Sequence, residues 1–186
     1  MMPLALLRSV RRRVGPGLAR PALAAAGVVV AAGLIAGCGK EIGDSCIVST
    51  DCGTDANLIC DLASLDGYCT IPGCDYGTCP DEAVCVRFFI ASFEDLPCDP
   101  ATEDLGTGGA TNDCGLDEIC TLAGQCVPSA SEERFCMKTC GDSGDCRDGY
   151  ECRDEALMRS HGGEPVPPPG QRLASFDPFC AQAPVP

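Results

Sequence analysis

The chain has 186 residues, with 27 acidic against 13 basic side chains for a net charge of −14, and 17 cysteines. Six Phe, three Tyr and no Trp give too little aromatic bulk for one large hydrophobic core. So acidic a surface argues against nucleic acid or anionic lipid headgroups as partners.

Residues 1–37 carry Arg8, Arg11, Arg12, Arg13 and Arg20 and no acidic residue, and residues 22–36 are almost wholly apolar. A basic start, a short apolar run and small residues at its end describe a secretory signal peptide. The run is shorter than the roughly 20 residues a membrane-spanning helix requires. Arg11-Arg12-Arg13 hints at twin-arginine export, but Val14-Gly15-Pro16 lacks the hydrophobic pattern of that signal, so the general secretory route is preferred.

The segment ends in Leu34-Ile35-Ala36-Gly37-Cys38, which resembles the lipobox of bacterial lipoprotein precursors. The resemblance implies a diacylglyceryl group on the Cys38 thiol and cleavage between Gly37 and Cys38. It also implies two or three acyl chains on the new N-terminus, each buried methylene contributing about 0.8 kcal/mol to anchoring. Gly39, rather than Asp, follows the lipidated cysteine, which implies passage to the outer membrane of a two-membrane bacterium. Residues 38–45 are then a lipidated N-terminus and tether.

Residues 38–186 keep every acidic side chain but only eight basic ones, a balance of −19. They also hold sixteen cysteines beyond Cys38, an even number in a compartment where disulfides persist. The expected class is a small disulfide-rich fold of short strands and turns with little regular secondary structure. Each bridge would contribute about 2–4 kcal/mol, chiefly by restricting the unfolded chain.

Two similar runs divide these cysteines. Cys52, Cys60 and Cys69, flanked by Asp51, Ile59 and Gly67-Tyr68, match Cys114, Cys120 and Cys126, flanked by Asp113, Ile119 and Gly124-Gln125. The triplets Cys74, Cys79, Cys85 and Cys140, Cys146, Cys152 follow, and Cys98 and Cys180 close the runs. Cys46 and Cys136 are left over, one for each side. The runs predict a first module over residues 46–98, an acidic Gly/Thr-rich linker over 99–113, a second module over 114–180 and a tail over 181–186. Eight cysteines per module allow about a hundred pairings, and spacing does not choose among them. Val86 to Phe93 is the best strand candidate, with Phe88–Phe93 as a possible apolar contact patch.

In the second module Asp142, Asp145, Asp148 and Glu151 recur every three residues around Cys146. Hard oxygen donors of this kind suit calcium, although the spacing is not that of an EF-hand; solvated carboxylates on a disulfide loop are the plainer reading. Residues 153–179 form a long loop with His161-Gly162-Gly163 and Pro165-Val166-Pro167-Pro168-Pro169-Gly170. Such proline density favours a stiff, extended segment tied down by Cys180, with a recognition role as the sharper alternative.

The Gly-Tyr-Cys and Asp-Gly-Tyr-Glu-Cys flanks are similar in part to EGF-like repeats, without their Cys-x-Cys step. The whole chain more closely resembles the Cys-rich lipoproteins abundant in myxobacteria and related bacteria, which combine a lipobox with repeated Asp-Cys units. Most of that group have no assigned activity.

Catalytic signals are few. His161 is the single histidine and sits among Gly and Pro, and no phosphate loop or nucleophile elbow occurs. The nearest cysteines, Cys136 and Cys140, do not form the Cys-x-x-Cys of thiol oxidoreductases and many zinc sites. The expectation is therefore a lipid-anchored envelope protein that is not an enzyme and needs no cofactor. It would bind, adhere or build structure, with an envelope or extracellular macromolecule as partner. A calcium-binding module and a redox or hydrolytic envelope enzyme are the alternatives.

Overall fold

In a computed structural model of the chain, describing residues 39–55, 57–90, 96–103, 114–171 and 175–185, all sixteen cysteines after Cys38 are paired in eight disulfides. The expected signal segment and Cys38 lie outside the described residues. The expected class is shown: a small disulfide-rich fold with short strands in small sheets and, among the described residues, one α-helix. None of the described helices is long and apolar enough to cross a membrane.

The bridges follow one rule four times. Four cysteines form a unit in which the first bonds the third and the second bonds the fourth. In unit 1 these are Cys46–Cys60 and Cys52–Cys69; in unit 2, Cys74–Cys85 and Cys79–Cys136. Unit 3 has Cys98–Cys120 and Cys114–Cys126, and unit 4 has Cys140–Cys152 and Cys146–Cys180. The third and fourth cysteines of each unit stand opposite each other on an antiparallel hairpin. Cys60 of β1 (Ile59–Asp61) faces Cys69 of β2 (Tyr68–Thr70). Cys85 of β3 (Ala83–Phe89) faces Cys136 on the strand Glu132–Lys138. Cys120 of β4 (Glu118–Cys120) faces Cys126 of β5 (Cys126–Pro128). The Glu132–Lys138 strand is β6; in unit 4, Cys152 of β7 (Tyr150–Arg153) faces Cys180 on Phe179–Gln182. The chain entering each unit lies along the strand of its fourth cysteine: in units 1, 3 and 2, Cys69, Cys126 and Cys136 donate their N–H groups to the carbonyls of Asp44, Leu96 and Ile71. In unit 4 the entering Cys140 N–H donates to the Pro178 carbonyl.

Two units are opened by insertions. Unit 3 lies wholly between β3 and β6 of unit 2. Unit 4 carries between its strands α1 (Glu155–His161) and β8 (Glu164–Pro165), and its last strand, Phe179–Gln182, is therefore β9. β8 adds to β3, giving a sheet ordered β6-β3-β8. Proline is tolerated there because β8 is an edge strand whose missing N–H faces no ladder partner; Val166 restores the pairing by donating to the Cys85 carbonyl at 2.8 Å.

The expected closure of cysteines within residues 46–98 and within 114–180 is corrected by these bridges. Cys79–Cys136 and Cys98–Cys120 both cross between the two runs, as does the β3–β6 pairing, and residues 37–186 cluster as one unit. Cys98 opens unit 3 rather than closing the first run. The similarity between the runs has a geometric basis nonetheless: Cys52, Cys60 and Cys69 hold the same places in unit 1 as Cys114, Cys120 and Cys126 in unit 3. Of the expected linker, Asp99–Glu103 forms a turn closed by Thr102 N–H on the Asp99 carbonyl; residues 104–113 lie outside the described residues.

The core gathers on the β6-β3-β8 sheet: Val86, Met137, Val166 and Phe179, with Tyr68, Tyr150, Met158 and Ile42 around them. Phe88 meets Phe179 edge-on at 6.2 Å between ring centroids. The strand expected over residues 86–93 runs from Ala83 to Phe89, so Phe88 and Phe89 are half-buried sheet residues and Ile90 is exposed. Residues 91–95 lie outside the described residues.

The loop expected over residues 153–179 is more ordered than its composition suggested. Asp154 caps α1 by accepting from the Leu157 N–H at 2.9 Å, and Gly162, at φ +80°, ends it. Gly163 to Val166 are buried, leaving only Pro169 and Gly170 of the proline run fully exposed. The expected tether is also shorter than residues 38–45, because Ile42 is 1% exposed and belongs to the core.

Candidate functional site

A polar crevice of about 380 Å³ lies where the chain entering unit 1 meets the start of unit 4. Gly43, Asp44 and Ser45 form one wall, Gly144 to Arg147 the other, and Lys138 and the two tyrosines Tyr68 and Tyr150 the floor. The tyrosines come from the repeated Gly-Tyr that opens β2 and β7, and their rings stack at 5.5 Å.

Arg147 completes this stack, its guanidinium carbon lying 4.1 Å from the Tyr150 ring centroid and 5.5 Å from that of Tyr68. Its Nη2 donates to the Leu65 carbonyl at 2.7 Å and to the Gly67 carbonyl and the Tyr150 hydroxyl. Nε and Nη1 are covered and have no hydrogen-bond partner; the ring faces offset part of that loss through cation–π attraction. The Tyr150 hydroxyl in turn donates to the Leu65 carbonyl at 2.9 Å. The Tyr68 hydroxyl accepts from the Lys138 N–H at 3.0 Å and donates to the Cys180 carbonyl at 3.3 Å. Burial pushes the Tyr68 phenol up to about 12 and raises that of Tyr150 as well. With its cation covered by rings and both phenols held neutral, the cluster acts as a clamp joining units 1 and 4.

The expected calcium candidates are not brought together. Asp145 Oδ2 accepts from the Gly141 and Asp142 N–H groups at 2.7 and 3.2 Å, which lowers its pKa. Asp142 Oδ1 accepts from Gly144 N–H at 2.7 Å, so these two carboxylates cap the 3-10 turn Ser143–Asp145. Glu151 turns away to Arg153 Nε at 2.9 Å and His161 Nδ1 at 2.7 Å, and Asp148 is exposed. Among the described residues, each close group of three potential metal-ligating side chains contains cysteines held in disulfides.

The single histidine is thus tied to Glu151, while the neighbouring Ser160 hydroxyl donates into its own helix, to the carbonyls of Ala156 and Leu157. Arg153 adds bonds to the carbonyls of His161, Gly162 and Gln182, closing the end of α1 onto β7 and β9.

A second polar link fixes unit 3. Glu164, buried on β8, accepts from Arg87 Nε at 2.8 Å and, through its other oxygen, from the Leu122 N–H at 2.7 Å. Arg159 on α1 donates to the Leu122 carbonyl at 2.6 Å. Both backbone groups of Leu122 are therefore held by side chains from the insertion in unit 4. Sequence reasoning did not single out Arg87, Glu164 or Arg147. The one available signal was the recurrence of Gly-Tyr before Cys69 and Cys152, which marks the two stacking rings.

Comparison with protein-family models, with curated proteins and with solved structures finds no match to this chain.

Proposed function

We propose that this chain is a lipid-anchored bacterial envelope protein with a binding, adhesion or structural role rather than a catalytic one. The observation that carries the reading is the allocation of its cysteines: eight bridges use all sixteen that follow Cys38 and leave Cys38 as the odd one. Persistent disulfides belong to exported proteins, and an unpaired cysteine at the end of a lipobox-like segment suits acylation.

The remaining side chains favour a scaffold role. The sixteen cysteines after Cys38 are locked in bridges, the histidine ring is engaged by Glu151, and Arg147, Arg153 and Arg159 grip backbone carbonyls. Stapled loops on an acidic body fit the presentation of a rigid surface to an envelope or extracellular macromolecule, at the outer membrane that Gly39 suggests.

Intact mass of protein extracted unreduced from its native envelope, after treatment with a thiol-alkylating reagent, tests the reading. An acylated chain starting at Cys38 with no alkylation supports it. A chain that keeps residues before Cys38 and carries no acyl group overturns the anchoring. Alkylation of several thiols reopens redox or metal chemistry.

A further inference from the structure

We propose that unit 1 rests directly on the lipid surface, with Ile47 and Val48 as its contact. The inference depends on acylation at Cys38 and adds to it the face and the distance at which the protein is held.

The distance follows from where the entering chain becomes fixed. Asp44 Oδ2 accepts from the Glu41 N–H at 3.0 Å, and the Asp44 N–H donates back to the Glu41 carbonyl at 3.2 Å. Ile42 is buried, Gly43 donates to the Cys69 carbonyl at 3.0 Å, and Cys69 donates to Asp44 at 2.9 Å. Only Gly39, Lys40 and Glu41 separate Cys38 from Ile42. Fully extended, those four steps reach about 14 Å. A body pinned so closely cannot float above the membrane; one of its faces lies against the headgroups.

Unit 1 supplies an apolar pair suited to that place. Ile47 and Val48, the first residues after its opening cysteine, are 80% and 52% exposed. Asp51 Oδ2 accepts from both of their N–H groups, at 2.8 and 3.1 Å, and these bonds lower its pKa. The carboxylate thereby caps the turn Ser49–Cys52 and fixes the backbone of the pair, while both side chains stay in solvent. A net charge of −19 over residues 38–186 selects neutral or zwitterionic lipid over anionic lipid.

The chain contains no tryptophan, so a single introduced one reports its own position. Ile47→Trp and, as a second reporter, Val48→Trp are compared with Leu116→Trp, whose site in unit 3 is wholly exposed. Each acylated protein is placed in phosphatidylcholine nanodiscs with or without bromine on the acyl chains. The proposal expects bromine to quench the reporters at 47 and 48 by roughly two-fold or more and that at 116 hardly at all. Equal quenching at all three sites, or none in protein whose mass shows the acyl chains, overturns the lipid contact and leaves the anchored reading standing. Shielding of position 47 in native envelopes but not in nanodiscs would assign the surface to a protein and also overturn it. Absence of acyl chains from the native mass overturns both readings together.

Discussion

Cys79 and Cys136 lie 57 residues apart in the chain, yet their Cα atoms are 5.7 Å apart, and the bond between them closes unit 2 around the whole of unit 3. This is the widest loop that any of the eight bridges closes. It is also one of the two disulfides that cross between the two similar cysteine runs.

In the chain-entropy account a bridge stabilises more as its loop lengthens. Replacing Cys79 and Cys136 together by Ser, so that no free thiol remains, should cost about 4 kcal/mol in unreduced denaturant unfolding. Replacing Cys74 and Cys85, separated by only 11 residues, should cost less, about 3 kcal/mol. An equal or reversed order would show that the long loop is already constrained by other contacts in the unfolded chain.

Gly67 sits at φ +65° with the Cys46 carbonyl oxygen 2.1 Å from where a Cβ would be. Both the backbone conformation and the approach of the entering chain require glycine there. Gly67→Ala should destabilise the protein by well over 1 kcal/mol and slow formation of the Cys46–Cys60 bridge. Gly73→Ala, at φ +67° but with nothing within 4 Å, should show only the conformational cost, roughly 1 kcal/mol. Thermal unfolding of the two variants separates the terms.

Glu164 holds Arg87 and the Leu122 N–H at once. Glu164→Ala leaves a largely buried guanidinium and a backbone donor unpaired, which should cost about 3 kcal/mol. Hydrogen exchange at the Leu122 amide should accelerate more than exchange within β3. Uniform acceleration would mean that the pair supports the whole fold rather than the seating of unit 3.

The buried Tyr68 phenol gives an alkaline limit. Its folded pKa, about 12, lies above its ordinary value of 10, so its contribution to stability is complete below pH 10 and is lost as pH rises towards 12. Near-ultraviolet titration should show Tyr68 ionising late and together with unfolding, with Tyr150 also shifted upward. Tyr68→Phe should remove that late step. Titration of Tyr68 at its ordinary pH in the folded protein would show that the Tyr68–Tyr150–Arg147 stack is open to water.

Acidification tests the loop caps by the opposite sign. Asp51 and Asp145 have lowered pKa values because backbone N–H groups bond their carboxylates. Their contribution is therefore present above the ordinary Asp range and is lost as pH falls through the lowered values. Amide exchange at Ile47, Val48 and Gly141 should stay slow at pH 4 and quicken only in stronger acid. Quickening already at pH 5 would show that these caps are not formed.

How much of this was legible beforehand is clearest at the cysteines themselves. The sixteen cysteines after Cys38 and the shortage of aromatic residues pointed to a stapled fold with little regular structure, because disulfides can replace a core that composition does not provide. The likeness of Cys52-Cys60-Cys69 to Cys114-Cys120-Cys126 was also readable, since local flanks set each hairpin. Cys46 and Cys136 had no place in the aligned runs, and the structure gives them the places of Cys98 and Cys180: first cysteine of units 1 and 3, last cysteine of units 2 and 4.

Pairing across the chain was beyond reach of the sequence alone. Neither the insertion of unit 3 inside unit 2 nor the addition of β8 to β3 leaves a local signal, because both depend on which distant segments share one buried face. The seven residues of α1 are too few to display a helical period, and its ends are set by Asp154 and Gly162 in the folded chain. The acidic spacing around Cys146 allowed either plain solvated carboxylates or a calcium site, and a spacing of three says nothing about which way each carboxylate turns. Backbone N–H groups, Arg153 and His161 decided that in three dimensions. Covalent inventory and charge are properties of the sequence; partnership between distant groups exists only once the chain has closed.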